Sequence, residues 1–406
     1  MKRERIIVLM LITAALVFPQ KKPYEIFDGT EIEFTFTNTI DNTEQKAAVY
    51  LPRGIESEKP PLLMHLHYLG GDRFTAKRLM FYQAADKLKW MILSPELHGK
   101  NTTGGQTSYS SLEAQHDAID ALNTVLGKYT NIDRRRLYLA GRSMGGMLSM
   151  LLAAKYPDIF AGVCSGQGIY DLADFYRNSS LMLNEKTKAA LVKEMGGTPE
   201  AVPFDYARRS SLTFARNTRT IPVVMWACSE DTVVPFSNAE RMQAEVQKYN
   251  RFQAPVNWLV NASHCPANFS SEWECEKLRY VENSAETCLY RDMPWRYFKD
   301  LSIVCDESKW FYYVYMRLAK ENTLGEFTTA ISDASLAITA KGLKGIVIDL
   351  YYAAGNPKTT ADAAKVLSSY SVAADREIAV EFVFKTQPLS KVSIKKGTGK
   401  ISYGVK

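Results

Sequence analysis

The sequence has few of the residues that hold metals and phosphates. Its five histidines form no cluster and its six cysteines include no C-x-x-C pair, so no metal is expected. No glycine-rich loop leads into a lysine, and the phosphate cradle of a nucleotide-binding protein is therefore missing. The net charge is only +6, from 50 basic and 44 acidic residues. The stretch Lys385–Lys406 alone holds six lysines and no acid, so the rest of the chain is nearly balanced and nothing points to nucleic acid. That lysine-rich tail reads as a hairpin whose charges discourage edge-to-edge pairing; a polyanion-binding patch is the other reading. Repeats and low-complexity tracts are absent too, which leaves no compositional argument for disorder.

The apolar runs are equally restricted. Ile6–Phe18 is uncharged and follows Lys2, Arg3 and Arg5; it is short for a membrane span and suits a secretory signal over residues 1–20. With no cysteine nearby, a lipid anchor is not expected, and a secreted or periplasmic location without a stable membrane partner is. Cys164, Cys228, Cys265, Cys275, Cys288 and Cys305 fit an oxidising compartment, but their spacing assigns no pairing.

What is present is a core-forming composition, 46% hydrophobic over 406 residues, enough for a large and a small domain. Strand-like runs at 31–37, 47–51, 61–67, 91–94, 137–140, 160–164, 221–227 and 256–260 alternate with helical spacing at 75–90, 111–129 and 238–249. That alternation predicts a mainly parallel sheet covered on both faces. Residues 171–217 interrupt it, either as a lid over the sheet's edge or as ordinary helices and connections. From 310 onward the pattern turns to strands at 310–318, 335–339, 345–351 and 378–384 plus the tail hairpin, which predicts a small all-β domain. The expected organisation is a catalytic domain over 24–295 and a β domain over 296–406.

The chemistry centres on Gly141-Arg142-Ser143-Met144-Gly145, between the apolar run Leu137–Ala140 and the helical run Met147–Leu152. A strand, a five-residue turn and a helix together make a G-x-S-x-G match a nucleophile elbow. A serine hydroxyl attacks only when a neighbouring base takes its proton. Of His65, His67, His98, His116 and His264, only His264 follows both the serine and a carboxylate at a strand end. Ser143, Asp231 and His264 are thus the expected nucleophile, orienting acid and base. No cofactor is needed for that chemistry. Arg142 is expected to pack beside the sheet or to touch a substrate carboxylate. Trp226, Tyr170, Phe175 and Tyr176 are candidates for acyl-pocket, core or lid packing.

The order serine, aspartate, histidine resembles the α/β-hydrolases over about Tyr24–Cys288. The segments Ile132–Gly146 and Asp231-Thr232-Val233-Val234-Pro235 carry the likeness, and the D-x-x-V-P context is what favours Asp231 over Glu230. These segments are most similar to secreted esterases of the feruloyl-esterase and polyhydroxybutyrate-depolymerase type and to prolyl-oligopeptidase-like hydrolases. The stretch Ala337–Leu350 looks like a β domain appended to some such bacterial enzymes. The resemblance implies a doubly wound α/β-hydrolase fold, an acyl-enzyme, and an oxyanion hole that includes the Met144 amide. The second oxyanion donor stays open between the Leu69 amide and the Tyr68 hydroxyl, because Tyr68 stands where relatives commonly carry glycine. Ester hydrolysis, on a small ester or an esterified polysaccharide, is the expected activity. A prolyl-oligopeptidase-like peptidase and a non-catalytic binding protein are the alternatives.

Overall fold

The computed structural model describes residues 22–406 except 56–57, 99–108, 251, 253–255, 265, 267–268, 283–300, 333–334, 354–368, 386 and 403–406. The expected leader 1–20, Cys265, Cys288 and the expected boundary at 295/296 lie outside the described residues.

Eight strands build the first sheet: β1 (Thr30–Thr37), β2 (Glu44–Leu51), β3 (Leu62–Leu66), β4 (Met91–Pro95), β5 (Leu137–Arg142), β6 (Gly162–Gly166), β7 (Val223–Cys228) and β8 (Val256–Leu259). Their spatial order is β1-β2-β4-β3-β5-β6-β7-β8. The pairs β1–β2 and β2–β4 are antiparallel, and every neighbour from β4 to β8 is parallel. Strands β3 to β7 are buried at every position, as strands covered on both faces must be. Because the strand order reverses about β3 and β5, a crevice opens outside their carboxyl ends, where open α/β sheets bind ligands.

The helices follow their sequence signals with one exception. Leu112–Lys128 starts where the Ser111 hydroxyl accepts from the Ala114 amide at 3.1 Å, and it carries Lys128 in its last turn, favourable ends for a helix. The helix read over 75–90 is instead two, Thr75–Arg78 and Phe81–Leu88, separated by Met80 at φ +64°. The Leu79 carbonyl is taken by the Ser271 hydroxyl, so a tertiary contact replaces the helical one at the break.

Ten further strands form two five-stranded sheets: β9 (Ser302–Cys305), β10 (Lys309–Phe311), β11 (Val314–Leu318), β12 (Gly325–Ser332), β13 (Ser335–Lys341), β14 (Leu343–Asp349), β15 (Ser369–Ala374), β16 (Ile378–Phe384), β17 (Gln387–Ile394) and β18 (Gly397–Ser402). The sheets share a core that includes Met316, Leu336, Ile338, Ile348, Val380 and Phe382. Two expectations are corrected here. The strand read over 310–318 is a hairpin, β10 against β11, turning at Tyr312 with φ +55°. No glycine or asparagine marks that turn; the Tyr312 hydroxyl instead meets Thr220 Oγ1 at 2.5 Å and the Pro157 carbonyl at 3.3 Å. The tail is not a paired hairpin either, since β17 pairs with β16 and β18 with β15 in the opposite sheet. Both are edge strands, the setting in which lysines impede unwanted pairing.

The two parts share a buried seam. Leu151, Ala154, Phe214 and Val304 form one apolar cluster. The Asn217 amide pairs twice with the backbone of Val304, at 2.8 Å in each direction. Beside them His116 Nε2 lies 3.7 Å from Glu307 Oε1. Burial alone would raise the Glu307 carboxyl; His116, Lys309 and Lys155 outweigh it and bring the group down to about 2. A depressed acid stabilises the fold above its unfolded pKa and ceases to do so as pH falls through the folded one. Thermal stability is therefore expected to decline as pH drops from the ordinary glutamate value of 4.5 toward 2. Melting curves across that window should show a shallower decline in Glu307→Gln; equal slopes in both proteins would contradict the assignment.

Candidate active site

Ser143 occupies the turn between β5 and the helix Met144–Lys155, at φ +55° and ψ −121°. The strain of the turn thus falls on the serine itself. The flanking glycines are needed for close approach: a Cβ on Gly141 would stand 2.3 Å from the Gly145 carbonyl, and one on Gly145 would stand 2.1 Å from the Leu66 carbonyl. The Ser143 amide donates to the Gly166 carbonyl at 2.8 Å, fixing the turn to the end of β6. All twelve residues of the following helix are buried, which explains why its sequence has no polar face.

His264 joins the serine to an acid. Its Nε2 lies 2.9 Å from Ser143 Oγ and its Nδ1 lies 2.6 Å from Asp231 Oδ2. Asp231 sits past the end of β7, is 6% exposed and uses both oxygens. Oδ1 accepts from the Val233 and Val234 amides at 2.9 Å each, and Oδ2 also accepts from Gln167 Nε2 at 2.9 Å. Glu230 is exposed, and its amide donates to the Ala262 carbonyl at 3.1 Å. That bond, with Ser229 N to Leu259 O at 3.0 Å, ties the acid loop to the histidine loop.

The serine opens into a cavity of about 350 Å³ lined by Tyr68, Leu69, Tyr109, Met144, Ile169, Phe175, Leu181, Val233 and His264. The Met144 amide begins the elbow helix, so no carbonyl inside that helix can accept from it. Leu69 and Tyr68 both reach the cavity wall, and Arg78, bonded to Asp72 at 2.5 Å, braces the turn that follows them. Phe175 and Leu181 come from the interrupting segment 171–217, which is stitched to the acid loop by Ser180 N to Thr232 O at 2.8 Å and Ser179 Oγ to Val233 O at 2.6 Å.

Other candidates face elsewhere. Arg142 points behind the elbow to Glu274, 2.6 Å away, and to Ser271 at 3.0 Å. Glu274 also accepts from the Trp226 indole at 2.9 Å. Neither Arg142 nor Trp226 reaches the cavity, because the buried carboxylate of Glu274 holds both. Tyr170 is buried against Ser165 at 2.9 Å, and Tyr176 packs on Tyr206. His65 packs against Phe81 with the rings tilted at 54°, and burial beside Arg142 brings it down to about 3. His67 has Nδ1 at 2.8 Å from the Tyr68 carbonyl and Nε2 at 2.9 Å from the Glu96 carbonyl, so it braces the loop that carries Tyr68. Cys164, Cys275 and Cys305 are buried free thiols; burial pushes Cys305 up to about 12 and raises the other two. Among the described residues, no group of three His, Cys, Asp or Glu side chains could hold a metal ion, and no helix is long and apolar enough to cross a membrane.

Sequence reasoning passed over Gln167, Tyr109, Ile169 and Leu181. Only Gln167 had a signal: it follows β6 at the sheet's carboxyl edge, between two glycines.

This topology, with a serine elbow at its reversal point, defines the α/β-hydrolase fold. Comparison with known proteins finds likeness to hydrolases of two kinds. The model of the prolyl oligopeptidase family matches residues 111–286. Feruloyl esterase B of Neurospora crassa is 28% identical over 135 residues, covering 31% of this chain and 45% of that protein. Acetylxylan esterase A of Emericella nidulans is 25% identical over 130 residues, 30% of this chain and 41% of that protein. The chain thus spans less than half the length of these curated esterases. Among solved structures, the acylaminoacyl peptidase of Pyrococcus horikoshii superposes with a TM-score of 0.51 at 17% identity, over 65% of this chain and 42% of that one.

Proposed function

We propose that this protein is an exported serine esterase that cleaves carboxylic esters of uncharged, apolar acyl groups, a small ester or an esterified polysaccharide being its substrate. The observation that carries this reading is the relay Asp231–His264–Ser143, at 2.6 and 2.9 Å, opening into a wall of Leu69, Ile169, Phe175, Leu181 and Val233. In the reaction, His264 takes the Ser143 proton as Oγ attacks the ester carbonyl, and returns it to the departing alcohol. Asp231 holds the imidazole tautomer and stabilises its charged form. The Met144 amide, with the Leu69 amide or the Tyr68 hydroxyl, receives the developing oxyanion. Water, deprotonated by His264, then releases the acid and restores Ser143. No cofactor enters these steps. Export rests on the composition of residues 1–20.

A peptidase is the second reading, favoured by the match to the prolyl oligopeptidase family over 111–286. Against it, among the described residues of the cavity wall His264 is the only charge-bearing side chain, and the rest of that wall is mainly apolar. The test compares kcat/KM on p-nitrophenyl butyrate with that on a dipeptide p-nitroanilide. The ester is expected to win, and a preference for the anilide would reverse the ranking. Within esters, Phe175→Ala should lower kcat/KM on a hexanoyl ester about tenfold relative to an acetyl ester, since lost apolar contact counts only for the chain that reaches it. An equal loss on both would remove Phe175 from the acyl site.

A further inference from the structure

The geometry points to Gln167 as a positioning residue that sets the basicity of the Asp231–His264 pair. This rests on the reading of Ser143, His264 and Asp231 as the reacting groups.

Gln167 is 2% exposed and stands at φ +47°, in the left-handed region that non-glycine residues rarely adopt. Such an outlier persists only where the surroundings enforce it. Here its amide donates to the Trp226 carbonyl at 2.8 Å, clamping the turn to the end of β7. The turn leads the side chain to the acid, where Nε2 meets Asp231 Oδ2 at 2.9 Å. That oxygen is the one His264 Nδ1 touches at 2.6 Å. The residue before it, Gly166, accepts from the Ser143 amide. One turn therefore holds the backbone of the serine and the carboxylate of the acid.

The shared oxygen gives Gln167 an electrostatic consequence. A donor on Oδ2 stabilises the carboxylate and draws part of its charge away from the imidazole. Without the donor, more of that charge falls on His264, and the imidazolium keeps its proton to higher pH. Titratable groups near this pair include Glu230, Tyr68 and Tyr109. Glu230 on the acid loop is exposed, Tyr68 and Tyr109 lie on the cavity wall, and burial holds the Tyr109 phenol up at about 12. Asp231 is thus the carboxylate bonded to the histidine, and Gln167 is a neutral donor on the same oxygen.

The experiment follows the rate of fluorophosphonate labelling of the full chain from pH 5 to 9, with the adduct located by mass spectrometry. Gln167→Met removes the donor at similar size, Gln167→Gly removes it while relieving the left-handed backbone, and Gln167→Glu adds a carboxylate. Gln167→Met and Gln167→Gly are expected to label about tenfold more slowly, as for loss of a hydrogen bond to a charged group, with the acid limb moved to higher pH. Gln167→Glu should move that limb further in the same direction. Gln167→Gly should melt no lower than the wild type, which separates positioning from folding. Unchanged acid limbs in all three variants, with Ser143 labelled in each, would overturn the role of Gln167 and leave the triad reading standing. Absence of a Ser143 adduct in the folded wild type would instead remove the reading beneath it.

Discussion

Replacing Ser143 with alanine is expected to abolish fluorophosphonate labelling and to cut kcat on p-nitrophenyl butyrate by about 10⁴ to 10⁶. The size follows from how the triad acts. In the proposed mechanism His264 and Asp231 would lower the barrier only by activating that one oxygen, so its removal would idle all three and leave what oxyanion donors and binding supply. The same substitution should leave the melting temperature nearly unchanged. Ser143 stands at φ +55° and ψ −121°, and alanine inherits that strain. Ser143→Gly relieves it and should melt about 2 °C higher while being equally inactive. A more stable, dead variant is the signature of strain retained for function. An adduct persisting in Ser143→Ala would assign the nucleophile elsewhere. No adduct in folded wild type would favour the binding-protein reading.

The elements whose signal lies within one segment were legible. The elbow shows in five residues, because two chain crossings leave no room for a Cβ at Gly141 and Gly145. The buried strands β3 to β7 read as apolar runs, and the order serine, acid, histidine follows from β5, β7 and β8 being adjacent or nearly so. What stayed hidden depends on the partner across space. The Tyr312 turn lacks any turn residue because Thr220 and Pro157 hold it. Nothing in the sequence near Arg142 announces Glu274, 132 residues later, which takes it out of the site. The tail lysines look the same in a hairpin or in two edge strands, since the alternation of side chains does not tell which sheet a strand joins. The cavity wall was half seen: Phe175 lay in an ambiguous insertion, and Leu181 is one leucine among many.

The second large effect concerns Lys155, the last residue of the elbow helix and 1% exposed. Its ammonium meets Asp306 Oδ2, from the turn between β9 and β10, at 2.6 Å, and Gln115 Oε1 at 2.9 Å. Burial lowers the Lys155 pKa, and Asp306 opposes that shift; Arg208 Nε reaches the same carboxylate at 3.3 Å. Removing one member of a buried pair leaves the other charge unpaired at a cost of about 3–5 kcal/mol, whereas replacing both with apolar groups is often neutral. Asp306→Ala is therefore expected to lower the melting temperature by roughly 5–10 °C, and Lys155→Met with Asp306→Leu to recover most of it. Activity should be lost in step with unfolding, because the helix that ends at Lys155 begins at Ser143. If the double variant melts as low as the single one, the seam rests on Leu151, Phe214 and the Asn217 clasp instead. In either case a protein truncated after 300 would expose that seam and leave Lys155 without its carboxylate. Such a truncation should fail to fold as an active hydrolase, which a loosely tethered polymer-binding module would not require.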